Sequence, residues 1–206
     1  MKSSFTSDLE KEKQLSQLLD VYYKRQLIHY TATRVHDRRS QRAGVDIVFT
    51  HKHTNEDFYI DEKAQLDYVN EDLPTFAFEI GYYKNTRYKQ GWLFDSNKKT
   101  DFYALATGIY EDEPGIFTSC RITLVNRNKL CSFLKQRKST KLVLDDYRVA
   151  HKNTHGKLKL AELNFRTEGY LYFSKTNKAE KPINLILRLE FLIDQNIAKP
   201  LVYKSV

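Results

Sequence analysis

Three consecutive charges interrupt residues 58–66, FYIDEKAQL, a stretch whose aromatic and aliphatic residues otherwise fit a β-strand. Side chains alternate between the two faces of a strand, so Asp61, Lys63 and Gln65 share one face. The segment 45–51, VDIVFTH, predicts a second strand, and the polar residues between the two predict a turn. The sequence therefore predicts a β-hairpin with one charged face.

The remaining sequence contains further strand-like segments and two helix-like ones. Leucine and tyrosine recur at helical spacing in residues 7–28, and a short basic helix is predicted at 126–138. Residues 31–43 break this periodicity and contain several arginines. Further strands are predicted at 75–83, 91–95, 100–110, 116–125, 141–149 and 169–175, and residues 183–197 fit either a strand or a helix.

A chain of 206 residues that is 41% hydrophobic, with only 7 Gly and 4 Pro, can bury one well-formed core. No internal repeat or linker-like stretch divides it. The sequence predicts a single α/β domain over 1–206, with a core to about residue 140 and a C-terminal elaboration over about 141–206.

The charge balance favours a polyanionic partner. The formal net charge is +8 and the isoelectric point is near 9.3, and each Lys or Arg placed near a phosphate releases a condensed counterion. Two cysteines are too few for a disulfide framework, and no apolar run approaches the roughly 18 residues of a membrane span. We expect a soluble, cytoplasmic protein without a membrane partner.

Asp46 marks the first strand of the hairpin, where an aspartate between Val45 and Ile47 is disfavoured by strand propensity. In a hairpin, Asp46 and Asp61 can approach each other across adjacent strands. Two adjacent carboxylates repel unless they share a proton or a cation, and Mg²⁺ prefers such hard oxygen ligands. Lys63 beside them could stabilise a phosphoryl transition state or orient the attacking water.

The same charges also fit a purely structural explanation. A half-exposed strand commonly has one apolar and one charged face, and a salt-bridged hairpin needs no ligand. The arginines Arg34, Arg38, Arg39 and Arg42, just before Asp46, could hold a phosphate backbone or form a solvated basic loop.

The spacing of these residues resembles the PD-(D/E)XK nuclease superfamily. Gly44-Val45-Asp46 is followed, fifteen residues after Asp46, by Asp61-Glu62-Lys63, and a helix precedes the strands. Ala43-Gly44-Val45 stands where the motif's name would place a proline, and Glu62 occupies a position that is commonly apolar.

The resemblance implies a restriction-endonuclease-like core, a central mixed β-sheet flanked by helices. It implies that Asp46, Asp61 and the carbonyl of Glu62 bind Mg²⁺, with Mn²⁺ able to substitute, and that Lys63 is catalytic. Gln65 would position the scissile phosphate or a water. Glu12, on the apolar stripe of the first helix, would be the acid that many members add from that helix.

The expected function is therefore a metal-dependent endonuclease that hydrolyses phosphodiester bonds in duplex or branched DNA. Members of this family are commonly dimers, so a homodimer is expected by analogy. Two alternatives stay open: a catalytically inactive nucleic-acid-binding module of the same fold, and a ribonuclease or a protein-interaction domain of a mobile element.

Overall fold

The computed structural model of the protein describes residues 5–85, 87–174 and 180–203, with side chains from residue 10 onward. The helices are α1 (Phe5–Gln26), α2 (Arg38–Arg42), α3 (Arg127–Gln136), α4 (Lys141–Ala150) and α5 (Leu189–Asp194). The first six strands are β1 (Tyr30–Arg34), β2 (Ile47–His51), β3 (Asp57–Ala64), β4 (Thr75–Lys84), β5 (Arg87–Gln90) and β6 (Phe102–Glu113). The others are β7 (Ile116–Asn126), β8 (Gly156–Leu158), β9 (Gly169–Phe173), β10 (Ile183–Arg188) and β11 (Ala198–Val202).

The chain divides into two compact units. Unit 1 consists of Met1–Leu73, Lys99–Asn126 and Ala198–Val206, and unit 2 consists of Pro74–Lys98 and Arg127–Ile197. The predicted extent of a single domain, with a core to about residue 140, stays a prediction. The described residues confirm the α/β class, with a mixed sheet and helices. No helix in the described part of the chain has both the length and the hydropathy needed to cross a membrane.

Unit 1 is built on a six-stranded mixed sheet with the order β1-β2-β3-β6-β7-β11. The predicted hairpin is confirmed, because β2 and β3 pair antiparallel with Ile47 opposite Ile60. On its other side β3 pairs parallel to β6, with Asp61 opposite Tyr103. The charged strand is therefore interior to the sheet and has a hydrogen-bonded neighbour along both edges.

Helix α1 confirms the helix predicted at 7–28. Its buried residues Leu15, Leu19 and Tyr23 recur every four positions, and they pack in one cluster with Ile47 and Ile60 of the hairpin. Full burial of such apolar side chains contributes roughly 1.5–3 kcal/mol each, which fixes the helix on this sheet. The middle and second half of α1 are thereby held against the core of the strands that carry the candidate site.

Unit 2 is built on a five-stranded antiparallel sheet with the order β5-β4-β10-β9-β8. The basic helix predicted at 126–138 is confirmed as α3. Residues 183–197 contain both of the predicted alternatives, since β10 runs directly into α5.

Two predicted strands of unit 2 are wrong. Residues 141–149 form helix α4, whose N-cap Thr140 accepts a hydrogen bond from the backbone N–H of Val143. Residues 91–95 form turns instead of a strand, because Gly91 N donates to Ile80 O at 3.0 Å and Leu93 N donates to Glu79 O at 3.1 Å. The segment thus stays hydrogen-bonded to β4 beyond the end of β5 without forming a regular strand.

Candidate active site

The carboxylates of Asp46 and Asp61 meet where strand β2 begins. With Ile47 opposite Ile60, the next positions of the antiparallel pair place Asp46 opposite Asp61 on the same face. Two backbone N–H groups fix the geometry: that of Asp46 donates to Ile60 O at 2.8 Å, and that of Glu62 donates to Asp46 Oδ2 at 2.9 Å. The two carboxyl groups are close enough to share a hydrogen bond.

The proximity of the two carboxylates makes Asp46 a weaker acid. Burial and then the negative charge of Asp61 raise the pKa of Asp46 to about 7, while Lys63 and the Glu62 N–H act to lower it. The metal-free pair therefore keeps a proton to a higher pH than an isolated aspartate would. A divalent cation would relieve the same repulsion.

Lys63 lies on the same face as Asp61, as the period of two predicts, and its Nζ forms an ion pair with Asp61 Oδ1. Asp61 is only 2% exposed. Its Oδ2 is buried and, with both carboxyls ionised, has no hydrogen-bond partner among the described residues. An orphaned buried carboxylate oxygen is unfavourable, and a cation or a bound proton would satisfy it.

Glu62 points to the opposite face and is neutralised there. Its carboxylate accepts hydrogen bonds from Arg34 Nη1 at 2.7 Å and from the Tyr23 hydroxyl at 2.8 Å. The same Arg34 also donates to Asp20 Oδ2 at 2.9 Å and to the carbonyl of Ser16 at 2.9 Å. Glu62 thus ties strand β3 to β1 and α1 on the face opposite Asp61.

The loop before Asp46 is held from two directions. Gly44 has a left-handed φ of 74°, a conformation that glycine adopts readily, which turns the chain from α2 into the strand. Its carbonyl accepts a hydrogen bond from the buried Thr100 hydroxyl at 2.8 Å, and Ala43 O accepts one from Lys99 N at 2.8 Å. These bonds position the backbone that presents Asp46.

A cleft of about 670 Å³ opens beside these residues. Asp46, Glu62 and Lys63 line it, together with Glu12 on the first turns of α1, whereas the buried Asp61 is not among its lining residues. Its lining also includes Lys13, Ser16, Gln17, Arg34, His36 and Gln41. The structure therefore brings Glu12 to the same cleft as Asp46 and Lys63.

The other predicted residues have distinct positions. Strand β3 ends at Ala64, so Gln65 leads into a 3-10 turn at Leu66–Tyr68 instead of extending the Asp61–Lys63 face. Arg38, Arg39 and Arg42 are exposed on α2, the short helix that also carries the cleft residue Gln41. Their roles, like that of Gln65, stay predictions.

Sequence reasoning missed the partners of Glu62 and part of the cleft. Tyr23 is the buried position four residues after Leu19, and helical spacing could have identified it. The sequence predicts Arg34 only as a phosphate contact or as part of a solvated loop, because the broken periodicity of residues 31–43 does not predict the five-residue strand β1 on which it lies. His36 and Gln41 gave no sequence signal, because only the fold brings them to the cleft.

The donor set can be tested against Mg²⁺. Asp46 and Asp61 supply two adjacent carboxylates, one with an orphaned buried oxygen. The N–H and C=O of one strand residue face the same neighbouring strand, so the Glu62 carbonyl faces the side of Asp46. The part of the chain that the structure describes contains no cluster of three or more His, Cys, Asp and Glu that could hold a metal. Two carboxylates and a carbonyl fit Mg²⁺, which keeps several waters.

Comparison of the chain with protein-family models, with curated proteins and with solved structures finds no match.

Proposed function

We propose that this protein is a metal-dependent nuclease that hydrolyses phosphodiester bonds in DNA. The observation that carries the proposal is the pairing of the Asp46 and Asp61 carboxylates across two strands, with Lys63 paired to Asp61 on the same face. A structural salt bridge would need one carboxylate for one lysine. Here a second carboxylate, with a strongly raised pKa, joins them at the edge of a cleft.

Asp46, Asp61 and the carbonyl of Glu62 would hold Mg²⁺, and Mn²⁺ would substitute for it. When bound, the cation supplies charge neutralisation for the phosphate and acidifies a bound water. Lys63 holds a positive charge beside Asp61, where negative charge develops on a phosphate during hydrolysis. Glu12 adds a carboxylate at the cleft that could accept a proton from, or orient, the attacking water.

The order of elements supports a restriction-endonuclease-like core for unit 1. Helix α1 comes before β1, the short helix α2, β2 and β3, so a helix precedes the two strands of the hairpin, as the resemblance implies. The Arg34–Glu62 pair gives a physical account of the charged residue at the motif's middle position, because its charge is compensated within unit 1.

The test is cleavage of DNA by the purified full chain. Supercoiled plasmid, linear duplex, a four-way junction, single-stranded DNA and RNA are each incubated with Mg²⁺, Mn²⁺ or EDTA. We expect metal-dependent cleavage of DNA that Asp61→Asn and Lys63→Ala each reduce at least about a hundredfold, since each removes a group acting on the transition state. Asp57→Asn is the matched control, because Asp57 is an exposed carboxylate on the same strand.

Wild-type rates in both site variants would overturn the assignment. Salt-dependent DNA binding that ignores EDTA, with no cleavage of any substrate, would identify a binding module instead. Preferential cleavage of RNA would identify a ribonuclease. Sedimentation of the intact chain tests the homodimer expected by analogy.

A further inference from the structure

The positive charge of the chain is concentrated in unit 2. Unit 2 contains 19 Lys and Arg against 9 Asp and Glu, and unit 1 contains 15 against 17. The formal charge is therefore +10 for unit 2 and −2 for unit 1. A polyanion is attracted to the unit that lacks the candidate active site.

Unit 2 also has its own cavity, of about 630 Å³. Its floor is apolar, with the buried side chains of Phe173 and Ile183, and Tyr83 adds an aromatic wall. Arg148, Lys152 and Lys181 supply three cations. An apolar floor with cations around it suits a ligand that has both a flat ring and a phosphate.

Arg148 is held in place before any ligand arrives. Its guanidinium lies over the ring of Tyr88, 4.0 Å from the centroid. Its Nη1 donates to the Tyr83 hydroxyl at 3.0 Å and its Nε donates to Asp145 Oδ1 at 3.0 Å. Neither of these bonds uses Nη2 of Arg148. Because the guanidinium is planar and held in place, Nη2 is a rigid donor on a residue that lines the cavity.

Lys181 is placed by its backbone. The carbonyl of Glu180 accepts a hydrogen bond from Tyr83 N at 2.9 Å, and that of Pro182 accepts one from Ser174 N at 2.9 Å. Lys181 between them has a left-handed φ of 43°, a conformation that a lysine before a proline rarely adopts. Strain of this kind is concentrated at functional sites.

We propose that this cavity binds one unpaired nucleotide of a nucleic-acid strand, with its base against the apolar floor and its phosphates on Arg148, Lys152 and Lys181. A base in an intact duplex is stacked and cannot enter a concave pocket, whereas an unpaired one can. The inference deepens the proposed nuclease function, on which it rests, by naming the substrate class: DNA with a single-stranded segment.

The test measures binding and not cleavage. Asp61→Asn, as the full chain in EDTA, is titrated into a fluorescent 20-nucleotide single strand and into the same sequence as a blunt duplex. Two further variants are made in this Asp61→Asn background. The cavity pair is Lys152→Ala/Lys181→Ala. The control pair is Lys135→Ala/Lys159→Ala, which removes two other exposed lysines of unit 2. The loss of two phosphate contacts and of the ordered nucleotide should weaken single-strand binding about tenfold in the cavity pair, and at most about threefold in the control pair.

For the blunt duplex, we expect equal effects of the two pairs. Equal losses on the single strand would overturn the proposal, because charge alone would then explain them. A free deoxynucleoside monophosphate that binds wild type more tightly than the strand does would also overturn it, in favour of a small-molecule site.

The two proposals fail separately. If wild type cleaves DNA but the cavity pair behaves as the control pair, the nuclease stands and the cavity inference fails. If no substrate is cleaved but the cavity pair selectively loses single-strand binding, the cavity inference stands and the nuclease fails.

Discussion

At the scale of single residues, Glu62 carries a charge that the proposed catalytic motif does not require. Its carboxylate is nearly enclosed, and Arg34 and Tyr23 supply its hydrogen bonds. Where an apolar residue would pack, this chain uses a fixed ion pair that joins β3, β1 and α1. Such a pair specifies position, because a shift of β3 would leave a partly buried charge without its partner.

Removing the Glu62 carboxylate should therefore destabilise unit 1 without removing a metal ligand. For Glu62→Ala we expect the free energy of unfolding to fall by about 3 kcal/mol, since Arg34 stays behind with its main partner lost. Urea denaturation measures this change. The variant Glu62→Gln should still bind Mg²⁺, because the proposed ligand is the backbone carbonyl. Loss of Mg²⁺ binding in folded Glu62→Gln would show that the side chain itself is a ligand.

Asp46 makes the stability of the metal-free protein depend on pH. In the unfolded chain its pKa is near the ordinary 3.8, and in the folded chain it is about 7. Between these values the folded state holds a proton that the unfolded state has released, so stability falls as the pH rises from about 4 to about 7. The contribution is at most about 4 kcal/mol, from 1.36 kcal/mol per unit of pKa.

Urea unfolding in EDTA at pH 5 and at pH 8 tests this dependence. The wild type should lose more stability between the two pH values than Asp46→Asn, whose amide does not titrate. Mg²⁺ affinity should rise over the same range, because the cation competes with the proton. Identical pH dependence in the two proteins would mean that Asp46 titrates normally in the fold.

At the scale of elements, the hairpin could be predicted because each of its strands has a residue pattern typical of a β-strand. The side-chain alternation of 58–66 and the misplaced Asp46 fixed which carboxylates meet. Helix α4 could not be predicted in this way. Leu142 and Leu144 alternate as in a strand, but Leu142 is 76% exposed and the buried contact is made by Leu144. Only the packing of these side chains in the fold distinguishes a helix from a strand here.

Strand β1 and the turn at 91–95 could not be predicted from sequence either, because tertiary contacts determine both. The strand is five residues long, and its pairing with β2 defines it. The 91–95 segment has strand-like residues, but Gly91 lies so close to the backbone of β4 that no side chain would fit at this position. Neither Glu12's position at the cleft nor that of His36 follows from local sequence.

The variant Gly91→Ala tests this close approach. A Cβ there would collide with the carbonyl of Glu79 and lie 2.8 Å from Gly81 N, and backbone atoms cannot move aside as a flexible side chain would. We expect a loss of about 1–3 kcal/mol in the free energy of unfolding, the range typical of overpacking. Ser96→Ala, exposed in the same turn region, should change it little. A stable Gly91→Ala would indicate that the turn can relax.

At the scale of the whole molecule, opposite charges separate two tasks. Unit 1 has a formal charge of −2 and holds the candidate carboxylates, and unit 2 has +10. Without a cation, the carboxylates of unit 1 repel the phosphate that they would act on. Under the proposed function, unit 2 would attract the nucleic acid, and a bound cation would neutralise the carboxylates of unit 1.

Neutralising the site should consequently tighten metal-free DNA binding. In EDTA at pH 8 and low salt, we expect Asp46→Asn/Asp61→Asn to bind DNA about threefold or more tightly than wild type, since two adjacent like charges are removed at and beside the cleft. Fluorescence anisotropy measures the change, and added salt should diminish it. Weaker binding by the double variant would place DNA away from these carboxylates.

The strands of the unit 1 sheet are synthesised at well-separated times. Strand β7 follows β6 directly in the sequence, whereas β11, which pairs with the other edge of β7, follows only after residues 127–197. At roughly 5–20 residues per second of synthesis, that delay lasts about 4 to 14 seconds. Through this interval the nascent chain presents an unpaired strand edge to its neighbours on the polysome, the kind of edge that seeds aggregation. The yield of active protein should then depend on how fast ribosomes pass through unit 2.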